Sequence, residues 1–309
     1  LTSFTLPASV TEIGQYAFSA SGITSMVITP AIRIIGEFAF DNTKALTTVD
    51  FSAASALIEI HAAAFKQSAV KFGAGGGVLT LPSDALASIG REAFADTASL
   101  TQINLGTSVR AIESYAFRNS ALTSVYVPAS VTAMGEGLFK DAVSLVTADI
   151  QGYVLETNAE ISLRKVGEEG VITTKFKVDG QASVVPAAMF SGCVSLTRVD
   201  FSATNAPTVV KDYAFHNCAA LTIRGANPAI GVAASGFLAL GGQAFAGSGI
   251  ATIPANPGII AIGDECFKDC DSITEIAFSE GVDNFGYAIF KGASGITQAT
   301  LNGKMNAGL

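Results

Sequence analysis

The chain has 309 residues, of which 49% are hydrophobic and 14% charged, with a formal net charge of −8. The charged fraction is well under the roughly one quarter of an ordinary soluble protein, yet no apolar run approaches the roughly eighteen residues of a membrane helix, so the excess belongs to a long, thin core. A nucleic-acid partner is excluded by the lack of Lys/Arg patches, and the four cysteines are too few for a disulfide scaffold.

The chain opens on Leu1 without a basic, apolar leader, a start that a removed signal peptide and a trimmed end explain equally. Its first segment, LTSFTLP (1–7), already reads as a strand. One unit then recurs: an apolar residue, usually Gly, two variable residues, a small or apolar residue, and Phe. The copies are IGQYAF (13–18), IGEFAF (35–40), IHAAAF (60–65), IGREAF (89–94), IESYAF (112–117), MGEGLF (134–139), VPAAMF (185–190), VKDYAF (210–215), LGGQAF (240–245), IGDECF (262–267) and FGYAIF (285–290). Most steps between the phenylalanines are 22 to 30 residues, which is solenoid spacing.

Five or six residues after each Phe a short alternating segment begins, as in LTTVDF (46–51), LTQINL (100–105), LTSVYV (122–127), LTRVDF (196–201) and ITEIAF (273–278). Apolar first, fourth and sixth positions rich in Val, Ile and Thr predict a strand. The Phe segment is too short to nucleate a helix alone, so a single helical turn held by packing is expected. No unit can bury its Phe by itself, and stacking makes the core continuous.

Three stretches interrupt the frame. GAGGGV (73–78) and GANPAIGVAASG (225–236) read as lengthened connections, because neither precedes Lys-Ser/Thr nor lies in a βαβ unit that would cradle phosphate. The insertion at 152–184 separates Phe139 from Phe190. Its charged part, ETNAEISLRKVGEEG (156–170), lacks an inward apolar set and is expected to be a protruding loop or hairpin. VITTKFKV (171–178) reads as a strand and is compatible with a degenerate repeat. Whether this insertion is merely solvated or makes contacts beside the sheet stays open. The chain ends on another strand segment, ITQATLN (296–302). Solenoids need capped ends, so the natural protein is expected to continue past one or both ends or to meet a partner there.

No candidate chemistry emerges, and no cofactor or metal is expected. Cys193, Cys218 and Cys270 each follow a Phe by three residues, a slot filled elsewhere by Ser, Thr or Ala, and Cys266 takes the small slot before Phe267. These read as structural thiols. A Cys193–Cys218 disulfide between adjacent coils would need geometry that parallel neighbours seldom reach. CFKDC (266–270) has no second ligand pair, and His61 and His216 have no recurring carboxylate or nucleophile beside them. The open sheet face is more informative. Its second strand position carries Thr24, Thr47, Thr101, Thr123, Thr197, Thr222, Thr274 and Thr297, a ladder that strand preference and self-stacking explain. The fifth position varies, and Asp50, Asn104, Tyr126, Asp149 and Asp200 would line a mildly acidic strip with one aromatic, the candidate ligand-binding residues.

The unit resembles the BspA-type leucine-rich repeat, approximately L-x-x-I-x-L-P-x-S-V-x-x-I-G-x-x-A-F-x-x-C. LTSVYVPASVTAMGEGLFKDA (122–142) follows that frame, with Leu138 and Ala142 in place of the family's Ala and Cys. The resemblance implies an α/β fold: a right-handed horseshoe solenoid over 1–309 as a single domain, with a parallel concave β-sheet and short helical turns on the convex side. Family members are typically surface-anchored or secreted proteins of anaerobic bacteria and some protozoa, several of them associated with adhesion. The expectation is therefore a secreted or cell-surface, non-catalytic adhesion module that binds a host matrix protein or another surface protein through the concave face, with no transmembrane segment. Two alternatives stand beside it. A carbohydrate-capture protein would need exposed aromatic platforms, in a chain with no Trp and 6 Tyr. A structural spacer would carry another domain and bind nothing.

Overall fold

Among the described residues a typical repeat folds into one coil with two short strands and a run of turns, stacked in parallel on its neighbour within each unit. The computed structural model describes residues 4–71, 73, 78–82, 84–167, 170–201, 207–221, 230–231, 238–253, 258–278 and 282–301. Most of both glycine-rich interruptions, together with Thr222 and the two chain ends, lies outside them. The chain divides into two compact units, Leu1–Gly152 and Tyr153–Leu309.

In the first unit the alternating segments pair coil to coil, Ser25–Val27 with Thr48–Asp50, Leu79–Thr80 with Ile103–Asn104, and Ser124–Val127 with Thr147–Ile150. Parallel pairing is available because a whole coil separates successive strands. Val125, Val127, Ala148 and Ile150 are buried, while Ser124, Tyr126 and Thr147 are exposed and Asp149 half-buried, as the period of two demands. Two-residue strands form a second, six-stranded parallel sheet: Glu12–Ile13, Ile34–Ile35, Glu59–Ile60, Ser88–Ile89, Ala111–Ile112 and Ala133–Met134. The second unit repeats the plan with Arg198–Phe201 against Ile230–Gly231, and Glu275–Phe278 against Gln298–Leu301.

Between the two strands of each coil lies the Phe. Phe18, Phe40, Phe65, Phe94, Phe117 and Phe139 stack in a column with ring centroids 5.0 to 5.7 Å apart and planes within 14°. Phe190, Phe215, Phe245, Phe267 and Phe290 form the column of the second unit. Offset stacking at these distances adds to the burial of each ring.

The expected helical turn is wrong: no helix occurs among the described residues. In residues 36–43 alternate N–H groups close tight turns within the coil, Ala39 to Gly36 O, Asp41 to Phe38 O and Thr43 to Phe40 O. The intervening ones leave it, Phe38 donating to Ala62 O at 3.1 Å, Phe40 to Ala64 O at 2.7 Å and Asn42 to Lys66 O at 2.8 Å. A helix would keep these donors inside the segment. Sharing them with the next coil lets the turns stack like strands. The price is a left-handed backbone at two sites per coil, as at Phe38 (φ 54°) and Asn42 (φ 54°), the second central residue of a type II turn.

The insertion is a long antiparallel hairpin, Leu155–Gly167 with Gly170–Val185. Its last two residues join the two-residue strands through Val184–Val209 and Val185–Val210. The expectation that its charged part lacks an inward apolar set is corrected. Ala159, Ile161 and Leu163 alternate with polar residues and are at most 1% exposed. With Val178, Ala182 and Val184 they pack on Val209, Ala239 and Ala261. The outward positions form a surface pair, Glu160 with Lys177 at 3.3 Å. Asp212 fastens the hairpin, accepting from Gly242 N at 2.8 Å, Ser162 N at 3.1 Å and the Ser162 hydroxyl.

Candidate functional site

The open face of the strand sheet is set by alternation: where the fourth and sixth positions fill the core, the third and fifth face out. Of the strip residues, Tyr126 and Asp149 face each other in register on adjacent strands, roughly 4.8 Å apart by strand spacing. Tyr126 is 54% exposed. Asp149 accepts a hydrogen bond from Gln151 Nε2 through Oδ1. Ser124 and Thr147 pair beside them, and Val146 is 41% exposed on the same coil as Asp149.

The other strip residues are placed differently. Asp50 faces Val27, itself 55% exposed, and borders an open cleft of about 390 Å³ shared with Ser52, Thr80 and Asp84. Asn104 faces Thr80. Asp200 lies in the second unit, opposite Gly231, and its carboxylate is held by Arg198 Nε at 2.7 and 3.0 Å. Asp50 and Asn104 also have local duties, accepting the N–H groups of Ser52 (2.8 Å) and Gly106 (3.1 Å) two residues on. Such Asx turns end the strand, so the residue type there is partly a matter of turn chemistry. Tyr126 has no such duty.

Sequence reasoning missed Thr80, because the glycine-rich run displaces its strand from the frame. It also missed Lys71, whose N–H bonds Thr47 O and puts it in the second-position row. The threonine ladder is structural where its bonds are seen. Thr47, Thr123 and Thr297 hydroxyls approach Thr24, Thr101 and Thr274 carbonyls at 3.2 to 3.4 Å, beside the N–H groups that bond the same oxygens.

Nucleophile-like groups elsewhere have structural explanations. All four cysteines are buried thiols outside any disulfide. Cys218 donates to Phe190 O and Cys270 to Phe245 O, each at 3.1 Å and one coil back, whereas Thr97 in the same slot bonds Phe94 O of its own coil at 2.7 Å. Burial pushes the Cys218 and Cys266 thiols well above the ordinary range and Cys270 upward, which disfavours the reactive thiolate. His61 pairs with Glu59 at 2.8 Å. Ser162 accepts from Lys175 Nζ at 2.7 Å and donates to Asp212. This resembles a Ser–Lys dyad, but Lys175 is exposed on the hairpin and the Ser proton is already committed to a carboxylate that backbone donors hold. Among the described residues no three His, Cys, Asp or Glu side chains converge to hold a metal ion. No helix of the described residues is long and apolar enough to cross a membrane.

Among solved structures, the pneumococcal vaccine antigen PcpA is similar at 18% identity and a TM-score of 0.55, covering 96% of this chain and 74% of its own. A leucine rich cell surface protein from Faecalibacterium prausnitzii is 22% identical with a TM-score of 0.48, covering 98% and 88%. A leucine-rich repeat protein from Bacteroides ovatus is 20% identical with a TM-score of 0.47, covering 94% and 82%. The likeness to PcpA, at this identity, speaks for the fold alone. A search of curated proteins finds no significant match. The BspA type leucine rich repeat region, by contrast, matches in six copies over residues 1–72, 78–161, 169–229 and 231–307. Since those matches span nearly all of the coils whose Phe columns and paired strands are described above, the chain belongs to the BspA-type leucine-rich repeat family.

Proposed function

We propose that this chain is a secreted or cell-surface binding module that holds a protein partner by extended contact and performs no chemistry. The observation that carries the reading is the pair Tyr126 and Asp149, a large exposed aromatic and a carboxylate displayed on a sheet whose alternate positions are uniformly buried. Aromatic anchors flanked by polar groups are what protein interfaces concentrate their energy in. Membership of the family supports a surface location and an adhesive role, and the fold shared with a pneumococcal vaccine antigen is in keeping with it. The repeat frame resumes after the hairpin, which supports treating 1–309 as one leucine-rich-repeat domain with an insertion at 152–184.

The test is binding of the chain to a panel of purified extracellular-matrix proteins and to intact cells, with Tyr126→Ala, Asp149→Ala and the double variant. Loss of at least tenfold in affinity for the captured partner is expected, with unchanged thermal melting. Undiminished binding by the double variant rejects this face. A glycan-array signal that needs the same two residues would move the partner from protein to carbohydrate.

A further inference from the structure

The charge on this face is one-sided where the anchor lies. Among the described residues at the second, third and fifth strand positions of the first unit, acids are Asp50 and Asp149 and the one cation is Lys71. Lys71 belongs to the coil of Phe65, two coils from Tyr126. Around the anchor stand Thr101, Gln102, Asn104, Thr123, Ser124 and Thr147, all neutral, uncharged hydrogen-bonding groups that are exposed. The Asp149 carboxylate is among those that no cation of the described residues neutralises, unlike three acids elsewhere. Asp200 is neutralised by Arg198 on its own strand, Glu92 by Lys66, and Asp96 by Arg118. Asp149 meets only the neutral amide of Gln151, which engages Oδ1.

We infer that Tyr126 and Asp149 form a seat for one cationic side chain, an arginine or lysine, projecting from the protein partner. This deepens the reading above and rests on it. An exposed Tyr ring face attracts a cation through its quadrupole, and a carboxylate on the neighbouring strand supplies the ion pair. A guanidinium suits the pair better than an ammonium, because its plane can stack on the ring while its edge donates to the carboxylate. The surrounding hydroxyls and amides accept and donate hydrogen bonds to an extended partner backbone. Among the described residues of the first unit no cation stands on the strands beside the seat, since the Lys71 row lies two coils from Tyr126.

The experiment titrates isotope-labelled full chain with a blocked nonapeptide of Ser and Thr carrying one central arginine. Its control is the same peptide with citrulline, which keeps the shape and removes the charge. The inference expects the arginine peptide to shift the backbone signals of Tyr126, Asp149 and their strand neighbours, the citrulline peptide to bind at least tenfold more weakly, and 0.5 M salt to weaken the arginine peptide severalfold, about what screening of an exposed pair produces. Tyr126→Leu and Asp149→Asn should each reduce affinity at least threefold, both side chains being outside the core. Equal shifts from both peptides at these residues would overturn the cation seat while leaving the face as a binding surface. Shifts confined to the turns or the hairpin would overturn the seat and the proposed face together. Absence of any shift at peptide concentrations of roughly 10 mM, far above the weakest specific range, overturns the seat as well.

Discussion

Ala20 and Gly137 occupy the two left-handed sites that every coil contains, one two residues after its Phe and one two residues before. Ala20 has φ 52° and is exposed, while Gly137 has φ 60°. For a residue with a Cβ this conformation costs about 1–3 kcal/mol. At Gly137 there is a second obstacle, since an added Cβ would lie 2.2 Å from Tyr115 Cε1, and Tyr115 is held in place by Glu136 at 2.7 Å and by Arg91 over its ring at 5.2 Å. Opposite outcomes follow. Ala20→Gly should raise unfolding free energy by about 1 kcal/mol, the strain relieved less the entropy glycine adds to the unfolded chain. Gly137→Ala should lower it by more than that. Urea denaturation of the two variants decides, and equal signs would show that these backbone angles are not the controlling term. The left-handed sites were not legible in the sequence for a plain reason. The site before the Phe holds Tyr16, Glu92, Gln243 and Ala288, which lack the Gly or Asn signal by which such positions are read. The site after it does carry that signal at Asn42, Asn119, Asn217, Gly192 and Gly247, unrecognised without the turn geometry.

At the scale of elements, the Phe column is the part of the fold that sequence reasoning could find, because it is periodic and because every coil must fill the same volume. Phe94 is fully buried and stacked between Phe65 at 5.1 Å and Phe117 at 5.6 Å. Neighbouring coils are fixed by their own strands and turns and cannot collapse into the vacated space. Phe94→Ala should therefore cost about 3–5 kcal/mol, the upper part of the range for such truncations. Hydrogen-exchange protection should fall most in the turn amides of the adjoining coils, those of Phe65 and Ala116 included. A cost under about 1.5 kcal/mol would place the core's strength in the strands instead. The turns and the hairpin were read less well because their partners are remote. The N–H of Phe40 bonds a carbonyl one coil away, and Ile161 packs on Val209, Ala239 and Ala261, which follow it by 48 to 100 residues. Charges interleaved through 156–170 hide an apolar face whose complement appears only when three later coils are stacked. The strip was legible as positions, since alternation fixes which side chains face out. That Tyr126 meets Asp149 while Asp200 is neutralised by Arg198 depends on register and rotamer.

For the molecule as a whole, repetition makes stability a sum of coil terms and nearest-neighbour terms, so local opening precedes global unfolding. The Tyr153–Leu309 unit contains a natural reporter of that opening, because all four thiols lie in it and all are buried. It also contains a hairpin that interrupts the repetition, laid on the two-residue strands at Val209, Ala239 and Ala261 and fastened by Asp212. Asp212 joins two things at once, the hairpin through Ser162 and the turn of the next coil through Gly242. Asp212→Ala leaves the Ser162 and Gly242 N–H groups without their acceptor, a loss of about 1–3 kcal/mol for half-buried donors. The thiols of the native chain should react slowly with an aromatic disulfide, their rate set by local opening rather than by intrinsic reactivity. In the Asp212→Ala chain that rate should rise roughly tenfold, the factor that about 1.4 kcal/mol makes in an opening equilibrium. Lys175→Ala, which removes only an exposed donor to Ser162, should leave it within about twofold. If both variants label at the native rate, the hairpin is an ornament on a unit that the coils alone hold shut. If only the Asp212 variant opens, the insertion is the brace of this unit, and the interleaved charges of 156–170 are the solvent side of a packed strand.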